Sequence, residues 1–423
     1  MKICVLTNEF YPIYGGVGRT ITNMCKSFKA RNEELYIFNR SYKGKKIYKI
    51  LTLNGRYNLK DVFVLFRKRK YFLYFIRSMW NIISERKVKF YFRLNMLLYL
   101  LIKPNILVKV LKSISSLHPY LKKINPELIL VSACGSVIMP LGFILSRFME
   151  KKIICCAHGD DFLVHTRYSL KSRYLKAIDK IITSCNKMNF LIKKINNLKD
   201  NKLTIIPRGL YLPDYEIRQN KEDARKELKI HNIDFILVSV GNHTPRKNFQ
   251  IAIRAMKKIK ELYPQLKFKY YLIGKGPESQ KLKTLTKNLK LEEEVSFIGS
   301  VNDAKKNMYL KASDIFVLPS ISSNKTIEGF GIAFLEANFF KLPVIGTTSG
   351  GIIEAIDHNK SGLLIEPNNL NDLVKAIIYL YENEEERKKM GEYGYRRVIN
   401  KYNWNILIDK YIKLFQETIK QVK

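Results

Sequence analysis

The stretch "EGFGIAFLE", residues 328–336, places two carboxylates eight positions apart around a Gly-Phe-Gly turn, in a chain with 75 Lys and Arg against 37 Asp and Glu. "GIAFLEANFFK" (331–341) reads as a helix ending before Leu342-Pro343, so Gly329, Phe330 and Gly331 fall at a helix N-terminus. Amides without intrahelical partners and the positive end of the helix dipole favour an anion there, and a diphosphate fits. Glu336 would lie just over one turn inside the helix, too far in to repel that anion, where it can accept hydrogen bonds from ribose hydroxyls. Glu328, before the turn, would meet the hydroxyls of a sugar on the other side of the phosphates. An exposed helix charge and a first-turn dipole partner would explain each glutamate separately, but not their joint spacing around glycine-aromatic-glycine.

Other turns offer related chemistry. "GNHTPRKNF" (241–249) ends a strand and puts Arg246 and Lys247 just before a helix, where two cations suit an anionic ligand. "IGKGPES" (273–279) brings Gly274 to the end of the next strand, where backbone without a side chain suits the edge of a base or ribose. Near the N-terminus, Tyr14-Gly15-Gly16-Val17-Gly18-Arg19 follows the first strand and opens a helix, again a site for phosphate. Its spacing is not G-x-G-x-x-G and no acidic residue closes a second strand about 20 residues on, which argues against a nicotinamide site.

The elements that must position these turns repeat in two halves. Buried strands are expected at 2–7, 35–38, 128–133, 152–159 and 180–185, with helical segments between them. The pattern restarts at 234–242 and continues at 269–277, 295–301, 314–320 and 343–351, with a helix at 248–264. Continuous apolar strands alternating with helices predict parallel sheets covered on both faces. The expected fold is α/β, two doubly wound Rossmann-like domains facing a cleft, with ligands outside the carboxyl ends of the strands. The turn-rich "IIPRGLYLPDY" (205–215) marks the boundary, giving domains of 1–210 and 211–402, and an amphipathic C-terminal helix within 403–423.

Composition bounds the rest. At 46% hydrophobic and 26% charged residues the chain is globular. Six cysteines in apolar segments read as buried free thiols of a reducing compartment. The first residues read as a strand and not a signal peptide, and "LNMLLYLLI" (94–102) is too short to span a membrane. The expected location is therefore cytoplasmic. The net charge of +38 is concentrated: from Arg40 to Lys123, 21 Lys and Arg stand against Asp61 and Glu85 alone, interleaved with aromatics. Such a segment suits an anionic membrane surface, with solvated amphipathic core helices as the bland alternative. No nucleic-acid-binding pattern is present.

These residues together resemble the GT-B glycosyltransferases of glycosyltransferase family 4, retaining enzymes that use nucleotide sugars. The resemblance spans nearly the whole C-terminal half. It takes in the Lys247 turn, "IGKGPE", "MYLKASDIFVLPS", Glu328-x7-Glu336, "TTSGGIIEAI" and "SGLLIEPNNLNDLVKAI". In the N-terminal half it rests on Gly15-Gly16 and on His158-Gly159-Asp160-Asp161, and residues 40–125 carry none of it.

By position the resemblance implies that Lys247 neutralises the donor diphosphate, helped by amides around Gly329 to Gly331 and by Gly16. It implies that Glu336 holds the ribose, that Glu328 and His158 contact the transferred sugar, and that Asp161 lies on the acceptor side. It further implies a final helix packed on the N-terminal domain and retention of anomeric configuration. No Asp-x-Asp triad is present, so no metal and no cofactor beyond the nucleotide-sugar co-substrate is expected. Members commonly carry Arg after the glycine matched by Gly241, and this chain has Asn242, with Arg246 nearby to compensate. The implied function is transfer to a lipid-linked or polysaccharide acceptor of a cell-surface glycan, and the basic, aromatic-rich segment adds the expectation of a peripheral place on the inner face of the plasma membrane. A nucleotide-sugar epimerase of the same fold and a non-catalytic anionic-surface-binding module are the alternatives.

Overall fold

The computed structural model describes residues 1–7, 16–39, 50–52, 113, 117, 120–134, 138–159, 170–231, 234–323 and 326–421. Gly15, Asp161 and the basic 40–123 segment, apart from 50–52, 113, 117 and 120–123, lie outside the described residues. The chain forms two compact units. Unit 1 comprises Met1–Ser184, Met188–Ile206 and Ile408–Lys423, and unit 2 comprises Cys185–Lys187 and Pro207–Leu407.

The elements of the first half are β1 (Lys2–Thr7), α1 (Gly16–Ala30), β2 (Glu34–Asn39), β3 (Ile50–Thr52), β4 (Leu128–Val131), α2 (Ile138–Phe148), β5 (Lys152–Cys156), α3 (Leu170–Ala177), β6 (Lys180–Thr183), α4 (Asn186–Asn196) and β7 (Leu203–Ile205). Among the described residues of unit 1 the strands form one parallel sheet in the order β3-β2-β1-β4-β5-β6-β7. Residues 3–6 and 128–131 are buried along both faces, as strands covered by helices on each side must be.

Ile21, Met24, Cys25 and Phe28 recur at helical spacing and bury one stripe of α1. That helix starts at Gly16, within the glycine-rich turn itself. The Thr20 hydroxyl donates to the Gly16 carbonyl at 2.8 Å, a bond made within a helix that is already under way.

The second half runs α5 (Lys221–Glu227), β8 (Phe235–Val240), α6 (Phe249–Leu262), β9 (Phe268–Ile273), α7 (Ser279–Asn288), β10 (Val295–Gly299), α8 (Asp303–Ala312), β11 (Ile315–Val317), α9 (Ile332–Phe339), β12 (Val344–Thr347), α10 (Ile352–Ala355), β13 (Gly362–Ile365), α11 (Leu370–Glu382) and α12 (Glu384–Lys401). Its parallel sheet has the order β10-β9-β8-β11-β12-β13. The first strand of this unit thus sits mid-sheet. Successive strands are laid down to one side of it and then to the other, so the connections diverge between β8 and β11. In a doubly wound sheet that divergence opens a crevice at the strand carboxyl ends, where ligands bind. The β1/β4 pair has the same place in unit 1.

Asp314, at the foot of β11, secures this arrangement. Its carboxylate accepts from the Ile236 amide at 2.6 Å, Arg225 at 2.7 Å and Lys221 at 2.5 Å, joining β8, α5 and β11. A final helix, α13 (Trp404–Lys420), carries the chain into the last residues of unit 1. There Phe415 stacks on Phe28 with ring centroids 5.9 Å apart, and Asp409 pairs with Arg31 at 3.1 Å. Among the described residues no helix is long and apolar enough to cross a membrane.

Candidate functional site

The crevice of unit 2 is lined by the loops that follow β8 and β11. After Val240 the chain makes a short 3-10 turn, Pro245–Lys247, and enters α6 through Asn248 in the left-handed region at φ 52°. Proline sets the backbone at the first position of that turn, so Arg246 and Lys247 follow in a fixed order. The Ile321 amide donates to the Arg246 carbonyl at 2.8 Å and so ties the two loops together. The second loop then delivers Glu328. Its amide donates to Ser322 Oγ at 3.3 Å and its carbonyl accepts from the Gly351 amide at 2.8 Å.

Three predicted residues therefore meet. Arg246 Nη1 donates to Glu328 Oε2 at 2.5 Å and Lys247 Nζ donates to the same oxygen at 2.6 Å. Glu328 is only 7% exposed. Burial by itself would push its pKa up. Lys247, then Arg246 and Arg208, outweigh burial and hold the carboxyl below its usual range. Three cations thus act on one carboxylate among the described residues.

Gly331 closes the loop with φ +84° as the N-cap of α9, where a Cβ would lie 2.6 Å from the Phe334 ring. Only glycine adopts this turn without strain. It starts α9 beside Glu328 and points the first-turn amides out of the helix end. Phe330 turns inward, buried with its ring 5.6 Å from that of Tyr402, so the aromatic between the glycines anchors the loop.

Glu336 occupies the second turn of α9 in a different setting from Glu328. It is 4% exposed, and its Oε1 accepts from Lys306 Nζ at 2.7 Å and from the Tyr215 hydroxyl at 2.8 Å. Gly274 is pressed against backbone at φ +135°, where a Cβ would lie 2.0 Å from the Gly241 carbonyl oxygen. Glycine is required there by loop-on-loop packing. His243 completes that packing: its amide donates to the Lys275 carbonyl at 3.0 Å, its carbonyl accepts from the Glu278 amide at 3.0 Å, and its Nδ1 pairs with Ser279 Oγ at 2.9 Å. Burial, then Lys283, lowers the His243 pKa and keeps the ring neutral.

In unit 1, Gly16 is the exposed first residue of α1, and His158 follows β5 with Nε2 paired to the Ser132 carbonyl. Both stand at the carboxyl edge of that sheet. Among the described residues no group of three or more His, Cys, Asp or Glu has the arrangement of a metal site. The six cysteines are buried and none is in a disulfide.

Sequence reading missed Arg208, His243, Tyr215 and Lys306. Lys306 did leave a signal: it stands with Tyr309 and Leu310 on the buried face of α8, at i, i+3 and i+4, where an apolar residue belongs. The others left none, because their partners are distant in sequence.

Residues 220–397 match the family described as glycosyl transferases group 1. The chain is 29% identical over 206 residues to N-acetyl-alpha-D-glucosaminyl L-malate synthase of Bacillus anthracis, an alignment covering 49% of this chain and spanning about half, 51%, of that protein. It is 27% identical over 325 residues to UDP-Gal:alpha-D-GlcNAc-diphosphoundecaprenol alpha-1,3-galactosyltransferase of Escherichia coli, covering 74% of this chain and 81% of that protein. In fold it is similar to Anabaena HepE solved with UDP and glucose, with TM-score 0.72 and 16% identity over 99% of this chain and all of the other.

Fold and matched residues define a GT-B protein. Over residues 220–397 the chain is similar to the glycosyl transferases of group 1.

Proposed function

We propose that this protein is a retaining glycosyltransferase that moves a sugar from a nucleoside-diphosphate sugar to a lipid-linked or polysaccharide acceptor in cell-surface glycan synthesis. The observation that carries the reading is the convergence of Arg246 and Lys247 on one oxygen of Glu328, beside the amide end of α9 at the divergence point of the sheet. The relatives add direction: one is named for a UDP-galactose donor and a diphosphoundecaprenol acceptor, and HepE was solved with UDP.

In this reading the donor diphosphate takes the two cations from Glu328. As the bond from the anomeric carbon to the leaving phosphate oxygen breaks, negative charge grows on the diphosphate, where Lys247, Arg246 and the α9 amides already stand. Glu328, released from its cations, accepts from hydroxyls of the transferred sugar, and Glu336 accepts from the ribose. His158 and Gly16 are assigned to the sugar and diphosphate through the resemblance, as Gly15 and Asp161 are. No described residue is assigned as a covalent nucleophile, so retention is assigned to same-face displacement assisted by the donor phosphate. The cationic cluster supplies what a metal supplies elsewhere, and activity is expected to survive chelation by EDTA. The basic 40–123 segment is assigned to an anionic membrane surface on the cytoplasmic side. Sedimentation with anionic but not neutral vesicles supports that assignment, and equal binding to both removes it.

Lys247→Ala tests the site. Transfer from the preferred nucleotide sugar is expected to fall by roughly 100-fold or more. Near-normal turnover in that variant refutes the assignment.

A further inference from the structure

Lys306 is a buried cation that the diphosphate reading does not use. Its side chain is 6% exposed. The ammonium lies 2.7 Å from Glu336 Oε1, 3.1 Å from Asp303 Oδ1 and 5.0 Å from the centre of the Tyr215 ring. The Tyr215 hydroxyl reaches the same Glu336 oxygen at 2.8 Å. Stability alone does not call for this arrangement. A buried ion pair is often matched or bettered by apolar residues of similar volume, and the positions beside Lys306 on the inner face of α8 are Tyr309 and Leu310. The two donors instead do something that apolar packing cannot. They come from separate elements, α8 and the segment before α5, and converge on one carboxylate oxygen, which locks the Glu336 side chain into a single orientation one turn inside α9.

We propose that Lys306 is a positioning residue that, with Tyr215, holds the Glu336 carboxylate as a fixed acceptor for the ribose hydroxyls of the donor and thereby sets a preference for ribonucleotides over 2′-deoxyribonucleotides. The inference rests on the reading of Glu336 given above. A carboxylate already in place loses no freedom when the ribose binds, and a nucleotide without the 2′-hydroxyl leaves it unmatched.

The test is equilibrium binding of the full chain to UDP, GDP and ADP, followed by the 2′-deoxy counterpart of whichever binds most tightly. Wild type is expected to prefer the ribo form by roughly 10- to 100-fold, the range of a hydrogen bond to a charged group. In Lys306→Met the ratio falls towards one while affinity for the deoxy form stays nearly constant, and Lys306→Arg restores part of the preference. Because Lys306→Met removes the partner of a buried carboxylate, Tyr215→Phe provides a milder variant, expected to lower the ratio several-fold in a folded protein. A proportional loss of affinity for both sugars, with the ratio unchanged in either variant, overturns the inference and leaves the diphosphate site standing. Binding of nucleoside diphosphates by wild type without discrimination also overturns it. Failure of wild type to bind any of the three overturns the proposed function itself.

Discussion

Glu328 and Glu336 are eight residues apart and both almost fully buried, yet the protein treats them differently. Glu328 lies on a loop and takes Arg246 and Lys247 on a single oxygen, with Arg208 also bearing on it, so cations outnumber it. Glu336 lies within a helix, and its Oε1 accepts from the Lys306 ammonium, which also pairs with Asp303, and from the Tyr215 hydroxyl. The first arrangement gathers several cations around one carboxylate on a loop, and its pairs can exchange partners. The second shares one buried ammonium between two carboxylates within packed elements, and removing that ammonium leaves a buried charge without its cation. Burial alone thus says little about a carboxylate's role. What matters is the charge count around it and whether its partners sit on loops or on packed helices.

The largest effect expected from breaking this contrast falls on the packed side. Lys306→Ala removes one partner of a buried pair and should lower unfolding free energy by about 3–5 kcal/mol, read from denaturant midpoints. A loss below about 1 kcal/mol would show that water reaches Glu336 and that the two sites are alike. Between the two carboxylates, Gly331→Ala forces a left-handed residue and a clash with Phe334. A loss of about 1–2 kcal/mol is expected, together with weaker nucleoside-diphosphate binding as the α9 amides shift.

The smallest effect concerns acid stability. Because the Glu328 pKa is depressed below its ordinary value of 4.5, the carboxylate contributes stability that is present above that pH. That contribution is lost as pH falls through the folded-state value. Glu328→Gln should therefore be less stable than wild type at neutral pH, with the deficit shrinking below about pH 4.5. A deficit independent of pH would mean that Glu328 contributes through shape and not charge.

Much of the frame was legible in the chain. "KICVLT" and "LILV" are continuous apolar runs, and a strand without polar alternation has to be covered on both faces. The glycines of "EGFG" announced a helix start, and α9 begins one residue after Gly331. Arg246 and Lys247 were legible as a cationic turn at a strand end. The edge strands β7 and β13 were not expected from the sequence.

Local chemistry belongs to the sequence, since backbone angles, helix ends and apolar runs depend on neighbours a few positions apart. It set the α/β pattern, the anion-favouring turns and the two glutamates. Partnership belongs to the tertiary structure, because residues 82 and 121 positions apart, Arg246 with Glu328 and Tyr215 with Glu336, meet only once the parallel strands have been ordered. That ordering decided which glutamate meets several loop-borne cations and which is held by a buried lysine and a tyrosine, a difference in surroundings that two identical side chains cannot carry in themselves.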